Sequence, residues 1–484
     1  MNALILRLHE LAAAQPDAEA IICPNYVLSY FDLVERVSHV ANELARFGCE
    51  RLAIFAGNDL DWLLVDLAAA SLDIPVVPVP LFFSEQQRAH LLSSSGVDVI
   101  YCGAGLLRIK GEGLNSELLP GHYRRLPRAT AVKQNNFSKV TYTSGSTGTP
   151  KGACLSGDTL LTIVSSLAIA LKPEGLGRHL CLLPFATLLE NVAGIYLPLW
   201  MGRSLVIDET ERLGLLSNHA FDPQRFCDAV ARYGVESVIL LPQMLKLIIE
   251  TGDLSALTSL KFIAVGGGKV APELLGKAIA LDLPVYEGYG LTECGSCVAL
   301  NTPAAGRVGS VGKPLRHANV RISNSGEVMV TGAAMSGYLD QQSGTTEIAT
   351  GDSGFIDDDG YLYITGRIKN TIISSFGRNI SPEWVESAFL AHPAVNQLAV
   401  FGEGEPSLSA VIVADEGTSD AQLMLIIKSI NQSLPDYAQI TRWHRSSEPF
   451  TSVAGTLTTN GKLRRAEIAK QFSGALVQAK AVAA

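Results

Sequence analysis

Short apolar runs alternate with helical periodicity from the first hundred residues onward. Residues 52–56 read as a strand, 62–71 as a helix and 75–79 as the next strand, together a β-α-β unit. The alternation returns where residues 235–241 run into a helix over 243–250. It returns again where residues 261–265 lead through Gly266, Gly267 and Gly268 into a helix starting near Pro272. Repetition of this kind predicts parallel sheets covered by helices, with ligand loops at the carboxyl ends of the strands.

The texture changes after Gly306. Glycine-punctuated runs at 326–330 and 361–365 predict a small β-rich subdomain over about 306–367. Beyond Arg367 a self-contained pattern begins: a strand at 371–374, a helix at 382–390, strands near 397–402 and 408–414, and a helix at 419–434. The expected fold is therefore α/β, a large N-terminal domain over 1–367 and a small C-terminal α+β domain over 371–484, with the boundary at 368–370. At the N-terminus Leu4, Leu8 and Leu11 keep helical spacing while Arg7, His9 and Glu10 interrupt the apolar core that a signal peptide needs. The Ala-rich tail from Gly474 reads as a frayed helix.

Length and composition narrow the class. A chain of 484 residues with 47% hydrophobic and 18% charged residues buries ample apolar surface in two or three domains. A net charge of −9 without a compensating basic cluster argues against nucleic acid as a partner. The longest charge-free apolar run, 159–171, lies between Asp158 and Lys172 and falls short of the ~18–20 residues that span a bilayer, so no transmembrane segment and a cytoplasmic enzyme are expected. Eight scattered cysteines suit a reducing compartment; Cys294 and Cys297 form a Cys-x-x-Cys pair without further evident ligands and read as packing residues.

Candidate chemistry concentrates in a loop reading Tyr-Thr-Ser-Gly-Ser-Thr-Gly-Thr-Pro-Lys-Gly over 142–152. Gly145, Gly148 and Gly152 allow close backbone approach, Ser144, Ser146, Thr147 and Thr149 offer hydroxyls with Thr143 a further candidate beside them, and Lys151 supplies a charge, a composition suited to anionic oxygens. A surface turn is the alternative. A P-loop is disfavoured, because Thr149 and Pro150 separate Gly148 from the lysine and Gly152 follows it. Gly266 to Ala271 matches the dinucleotide pattern, with Glu287 downstream as a ribose partner, which keeps a nicotinamide or flavin oxidoreductase in view. In the stretch 286–293, Tyr289 is placed to stack on a base after a predicted strand, Gly290 to turn the chain, and Thr292 and Glu293 to meet a phosphate and its Mg²⁺; a helix N-cap at Thr292 is the plainer reading. Asp352 and Arg367 offer a carboxylate and a guanidinium to ribose hydroxyls, or form a surface ion pair.

Taken in order, the loop at 142–152, Tyr289-Gly-Leu-Thr-Glu293, Thr350-Gly-Asp352, Gly366-Arg-Ile-Lys-Asn370, Phe376-Gly-Arg-Asn-Ile-Ser-Pro-Glu383 and Asn460-Gly-Lys-Leu-Arg-Arg465 resemble the adenylate-forming superfamily of acyl-CoA synthetases, peptide-synthetase adenylation domains and luciferases. The resemblance implies ATP, Mg²⁺ and CoA, or carrier-protein phosphopantetheine, as partners of a small carboxylic acid. It assigns the loop at 144–151 to the β- and γ-phosphates and Gly266, Gly267 and Gly268 to the adenine and acyl site. Tyr289 falls beside adenine, Thr292 at the α-phosphate, Glu293 at the metal, and Asp352 with Arg367 at ribose. Lys462 matches the lysine that meets the carboxylate and the α-phosphate. The C-terminal domain becomes a mobile one, hinged at Lys369, with Gly377 approaching the thiol arm. Residues 183–191 resemble the acyl-site segment of fatty-acyl activating enzymes, making Thr187, Leu188 and Val192, together with Leu189, Ile195 and Leu197, acyl-pocket candidates against the alternative of core packing. Ala186 and Thr187 stand where many relatives carry a histidine. The expected activity is ATP-dependent activation of a medium- or long-chain fatty acid, or a similar apolar acid, and its transfer to CoA. A carrier-protein acceptor and a non-catalytic nucleotide-binding protein are the alternatives.

Overall fold

The strand and helix alternation builds two large sheets with helices packed between them, followed by two smaller β-containing units. The structure is a computed structural model that describes residues 1–104, 106, 113–115, 119–126, 137–143, 150–216, 220–341, 347–458 and 461–482. In the first sheet the strands Glu19–Cys23, Ser204–Val206, Arg178–Leu180, Ser237–Leu240, Phe262–Val265 and Val285–Tyr289 run parallel in that spatial order. Antiparallel strands close both of its edges. The second sheet has a parallel centre of Val99–Cys102, Leu52–Phe55, Val76–Pro78 and Lys139–Thr143. Strands 52–55 and 99–102 are buried throughout, as strands covered on both faces must be.

Local sequence explains the helices between the sheets. Tyr30–Phe47 starts in a capping box of Ser29 and Asp32, ends on a left-handed Gly48, and buries Leu33, Val37, Val40, Ala41 and Leu44 along one stripe. Leu60–Ser71 is instead buried almost all round, so its one inward charge, Asp66, needs a partner. Lys139 supplies it: the ammonium lies 2.8 Å from Asp66 Oδ1 and also donates to Asn191 Oδ1 and the Tyr196 hydroxyl, both at 2.5 Å. This cluster ties the strand Lys139–Thr143 to the segment that follows residue 183.

The predicted β-rich subdomain is a four-stranded antiparallel sheet of Ala318–Ile322, Glu327–Gly332, Glu347–Ile356 and Leu362–Arg367. After it a single 3-10 turn, Ile368–Asn370, leads into the hairpin Ile372–Ile373 and Asn379–Ile380. The C-terminal unit then packs helices Pro382–Leu390 and Asp420–Asn431 on a sheet of Val395–Phe401, Leu408–Ala414, Ile440–Arg445 and Lys480–Ala481. The tail differs from the frayed helix expected. Only Ser473–Val477 is helical, and residues 480–481 form an edge strand opposite Arg442 and Trp443, whose register gives the tail the hydrogen bonds that a short Ala-rich helix lacks. Among the described residues no helix is long and apolar enough to cross a membrane.

Candidate active site

Strands Lys139–Thr143 and Lys151–Leu155 pair antiparallel with Thr143 opposite Lys151, and the glycine- and hydroxyl-rich stretch joins them in sequence. Ser144, Gly145, Ser146, Thr147 and Gly148 lie outside the described residues. Lys151 is exposed, and its ammonium stands 5.5 Å from the ring centroid of Tyr338, within cation–π range. Tyr338 arrives beside it because Gly337–Tyr338 pairs with the strand Lys151–Leu155.

Strands Phe262–Val265 and Val285–Tyr289 are parallel neighbours, which brings Gly266 and Tyr289 to the same carboxyl end of the first sheet. Gly267 turns there in the left-handed region, and Gly268 is exposed beside Pro242. Gly290 is required by space: a Cβ there would fall 1.9 Å from the Ser296 carbonyl oxygen. The chain then tightens into the 3-10 turn Thr292–Cys294. Leu291, not Thr292, occupies the cap position, and no side-chain cap bond forms, so the N-cap reading of Thr292 does not hold. Glu293 accepts a 2.8 Å hydrogen bond from the Tyr338 hydroxyl on Oε1, while its backbone oxygen accepts from Met335 N at 2.8 Å. Glu293 thus spends one carboxylate oxygen on the protein and presents the other, a donor set that fits a hard cation.

The ribose candidates form the best-connected part of the site. Asp352 and Arg367 are cross-strand partners in the antiparallel sheet. Arg367 Nε lies 2.8 Å from Asp352 Oδ1, and the Tyr289 hydroxyl donates to Oδ2 at 2.6 Å. Arg367 Nη1 donates to the Thr350 carbonyl, and Thr350 Oγ1 accepts from Asp352 N, so the acid is held by its neighbours as well. Desolvation raises the Asp352 pKa despite Arg367, Tyr289 and Lys462, which all favour the carboxylate. Tyr289 is pushed up by burial and then by Asp352. The surface-ion-pair alternative is excluded for the acid, which is only 7% exposed.

Lys462 approaches this cluster from the C-terminal unit. Its backbone N–H donates to Thr458 Oγ1 at 3.0 Å, while its ammonium makes no hydrogen bond among the described residues. The side chain is open to solvent along one side, yet groups from both units crowd the other. Desolvation and then Arg367 lower its pKa, with Asp352 and Glu293 opposing. Lys369 is exposed on the 3-10 turn between the units. Gly377 stands apart from the cleft, at the exposed tip of the hairpin, with nothing within 4 Å of where its Cβ would be.

The acyl candidates divide. Thr187 is half-buried and donates to the Pro184 carbonyl at 2.7 Å, closing a turn that Asn58 clamps through Leu183 O and Phe185 N. Leu188, Val192, Ile195 and Leu197 are sealed in the main core, where each packs. Leu189 and Ala193 are apolar positions on this segment that stay partly open, and they pack with Leu241 and Ala264 against the neighbouring core. The segment Glu190–Tyr196 is a π-helix, a wide turn that often marks functional sites. Glu190 is fully buried there, 3.8 Å from His179 Nε2, and desolvation raises its pKa. The dinucleotide reading fails on Glu287: the carboxyl is buried, not presented to a ribose, and desolvation, opposed by Lys269, pushes it up to about 7.

Sequence reasoning missed Tyr338, Asn58 and Lys269, whose ammonium donates to the Ile364 carbonyl at 2.6 Å and ties the glycine loop to the β-rich subdomain. No local motif marks Tyr338 or Asn58, and the glycine motif that contains Lys269 gives no sign of its partner, since each acts across a pairing of distant segments.

The family model for the AMP-binding enzyme matches residues 8–339, and that for the AMP-binding enzyme C-terminal domain matches 369–480. A 2-succinylbenzoate–CoA ligase of Bacillus mycoides is 28% identical, covering 84% of this chain and 87% of its own. A long-chain-fatty-acid–CoA ligase of Mycobacterium bovis is 25% identical, covering 88% and 87%. The solved structure of the o-succinylbenzoate CoA synthetase of Bacillus subtilis with its acyl-adenylate intermediate shares the fold, with a TM-score of 0.77, 22% identity and coverage of 96% and 97%. With both of its characteristic units matched in order, the chain belongs to the AMP-binding enzyme family, within the adenylate-forming superfamily that its motifs resemble.

Proposed function

We propose that this enzyme is an ATP-dependent acid–thiol ligase that activates an apolar carboxylic acid as its acyl adenylate and passes the acyl group to the thiol of CoA. The observation that carries the reading is the convergence of Tyr289, Asp352 and Arg367 with Lys462, contributed by separate units, on one cleft. A carboxylate is a weak nucleophile facing an anionic α-phosphate, so neutralising charge is the main task. Lys462 carries a mobile ammonium to the two reacting anions, Thr292 offers its hydroxyl to the α-phosphate, and Lys151 with the glycine- and hydroxyl-rich stretch receives the departing pyrophosphate. Asp352 and Arg367 fix the ribose, so that the α-phosphorus stands in line with the entering oxygen. Mg²⁺, held by Glu293, would add positive charge at the phosphates when bound.

Leu189, Ala193, Leu241 and Ala264 offer apolar surface rather than a charged partner to the rest of the acid. A medium- or long-chain fatty acid is the first substrate class, supported by the relative that acts on long-chain fatty acids; an aryl acid is the second, supported by the relatives that act on 2-succinylbenzoate. For the second half-reaction the turn at Lys369 serves as the hinge and Gly377 comes to the thiol arm. A carrier-protein phosphopantetheine presents the same arm as CoA. The test is a panel of fatty and aryl acids in a pyrophosphate-release assay run without acceptor, with CoA and with a holo carrier protein. Acid-stimulated release and a CoA thioester are expected. ATP binding without release for any acid would leave a non-catalytic nucleotide-binding protein instead.

A further inference from the structure

Two lysines far from the reacting groups hold the unit that carries Lys462. Lys246, on helix Pro242–Thr251 of the N-terminal body, donates from its ammonium to the carbonyls of His392 at 2.9 Å and Val395 at 2.8 Å. Lys277, on helix Pro272–Ala280, donates to the Ala391 carbonyl at 3.3 Å. The Ala391 and His392 carbonyls lie just past helix Pro382–Leu390, at the end where the helix dipole is negative, and Val395, whose own N–H donates to the His392 oxygen, opens the strand that follows. Ala391 itself is buried in a core otherwise built by the N-terminal body. Burial and then the two lysines lower the His392 pKa, so the imidazole stays neutral and does not repel them.

The same helix reaches the other way to the loop of Lys462. Glu383 and Glu386 both pair with Arg465, three residues after Lys462; Nη2 lies 3.3 Å from Glu383 Oε1 and 2.6 Å from Glu386 Oε2. Glu386 is fully buried and also accepts from Val400 N at 2.9 Å, which fixes it in the sheet. At its start the helix rests on the β-rich subdomain: a Cβ on Gly366 would fall 2.2 Å from Ser381 Oγ. Contacts therefore run from Lys246 and Lys277 along one helix to Arg465, and the chain itself carries the link over three residues to Lys462.

We infer that Lys246 and Lys277 are positioning residues for acid activation, acting on Lys462 through helix Pro382–Leu390. This rests on the proposed adenylation and deepens it, since both lysines serve the approach of Lys462 and neither touches the reacting groups. Replacing both in Lys246→Met with Lys277→Met keeps their apolar stems and removes the donors. The expected result is a fall of about tenfold to a hundredfold in kcat for acid-dependent pyrophosphate release, with KM for ATP within about twofold of the parent. The doubly conservative Lys246→Arg with Lys277→Arg, which keeps donors to the carbonyls, should recover most of the rate. Amide hydrogen exchange should quicken over residues 382–395 and 461–468 in the Met pair and leave the strand holding Tyr289 unchanged. Unaltered kcat with unaltered exchange would overturn the assignment, as would an equal loss in ATP affinity. If the parent releases no pyrophosphate with any acid, the functional reading fails while the exchange measurement still decides the latch.

Discussion

The two sides of the cleft are held in different ways. On the nucleotide side Tyr289, Thr350, Asp352 and Arg367 bond to one another within a single sheet and its neighbour, at 2.6 to 3.1 Å. On the other side Lys462 stands without a hydrogen bond to its ammonium among the described residues and is steered at a distance by a helix. A group that must bind one shape well profits from rigidity. A group that must reach two anions while charge redistributes profits from freedom, provided its base is fixed. The difference teaches that the chain ties one side of the cleft into a bonded cluster and leaves the Lys462 side chain free above a fixed base.

Four changes break or sharpen this contrast, in descending order of effect. Lys462→Ala should cost about a hundredfold to a thousandfold in acid-dependent pyrophosphate release while ATP still binds, and unchanged turnover would remove the assigned role. Because its pKa is lowered, the charged form is lost earlier as pH rises, so the alkaline limb of the parent's rate profile should fall below the ordinary lysine range. Glu287, beneath Tyr289, affects stability instead. Its folded carboxyl keeps a proton to about pH 7, whereas the unfolded one releases it near 4.5, so stability should decline as pH rises through that window, by on the order of 2–3 kcal/mol. In Glu287→Gln the decline between denaturant midpoints measured at pH 5 and pH 8 should shrink by that share, leaving the contribution of Asp59, whose carboxyl desolvation likewise pushes up to about 7.

Asp352→Ala strips the rigid side of its centre and should raise KM for ATP about tenfold to a hundredfold with little change in KM for the acid. Equal rises in both would mean that the carboxylate supports the whole cleft rather than the ribose. Tyr289→Phe removes one hydrogen bond and retains the ring, so ATP affinity should weaken only about threefold to tenfold, measured by calorimetric titration.

Much of this was legible where physics is local. Helix Pro382–Leu390 and strand Leu408–Ala414 have the bounds their periodicity predicts, because a Ser381 cap and an unbroken apolar run are written in adjacent residues. The strand at 75–79 shortens to Val76–Pro78, since parallel pairing to the strand beginning at Leu52 sets its length. The π-helix Glu190–Tyr196 was not legible: its widening answers to buried contacts of Glu190 and Asn191, not to a change in apolar spacing. In the candidate site, Tyr289, Glu293, Asp352 and Arg367 could be named from the sequence because each sits in a compact motif, and the structure brings Tyr289, Asp352 and Arg367 together. Tyr338 and the lysine pair at 246 and 277 were hidden, because their partners come from pairings and interfaces that no short string encodes.

The sealed contact of Lys139 with Asp66 constrains the routes by which this sequence changes. With side chains only 3% and 1% exposed, neither can be replaced alone without stranding a charge, at a cost of about 3–5 kcal/mol. Replacing both at once with apolar residues of similar volume would cost far less, yet it would leave Asn191 and Tyr196 seeking new partners. The four positions therefore form one unit of heredity, and substitutions that look independent along the chain must be accepted together or not at all.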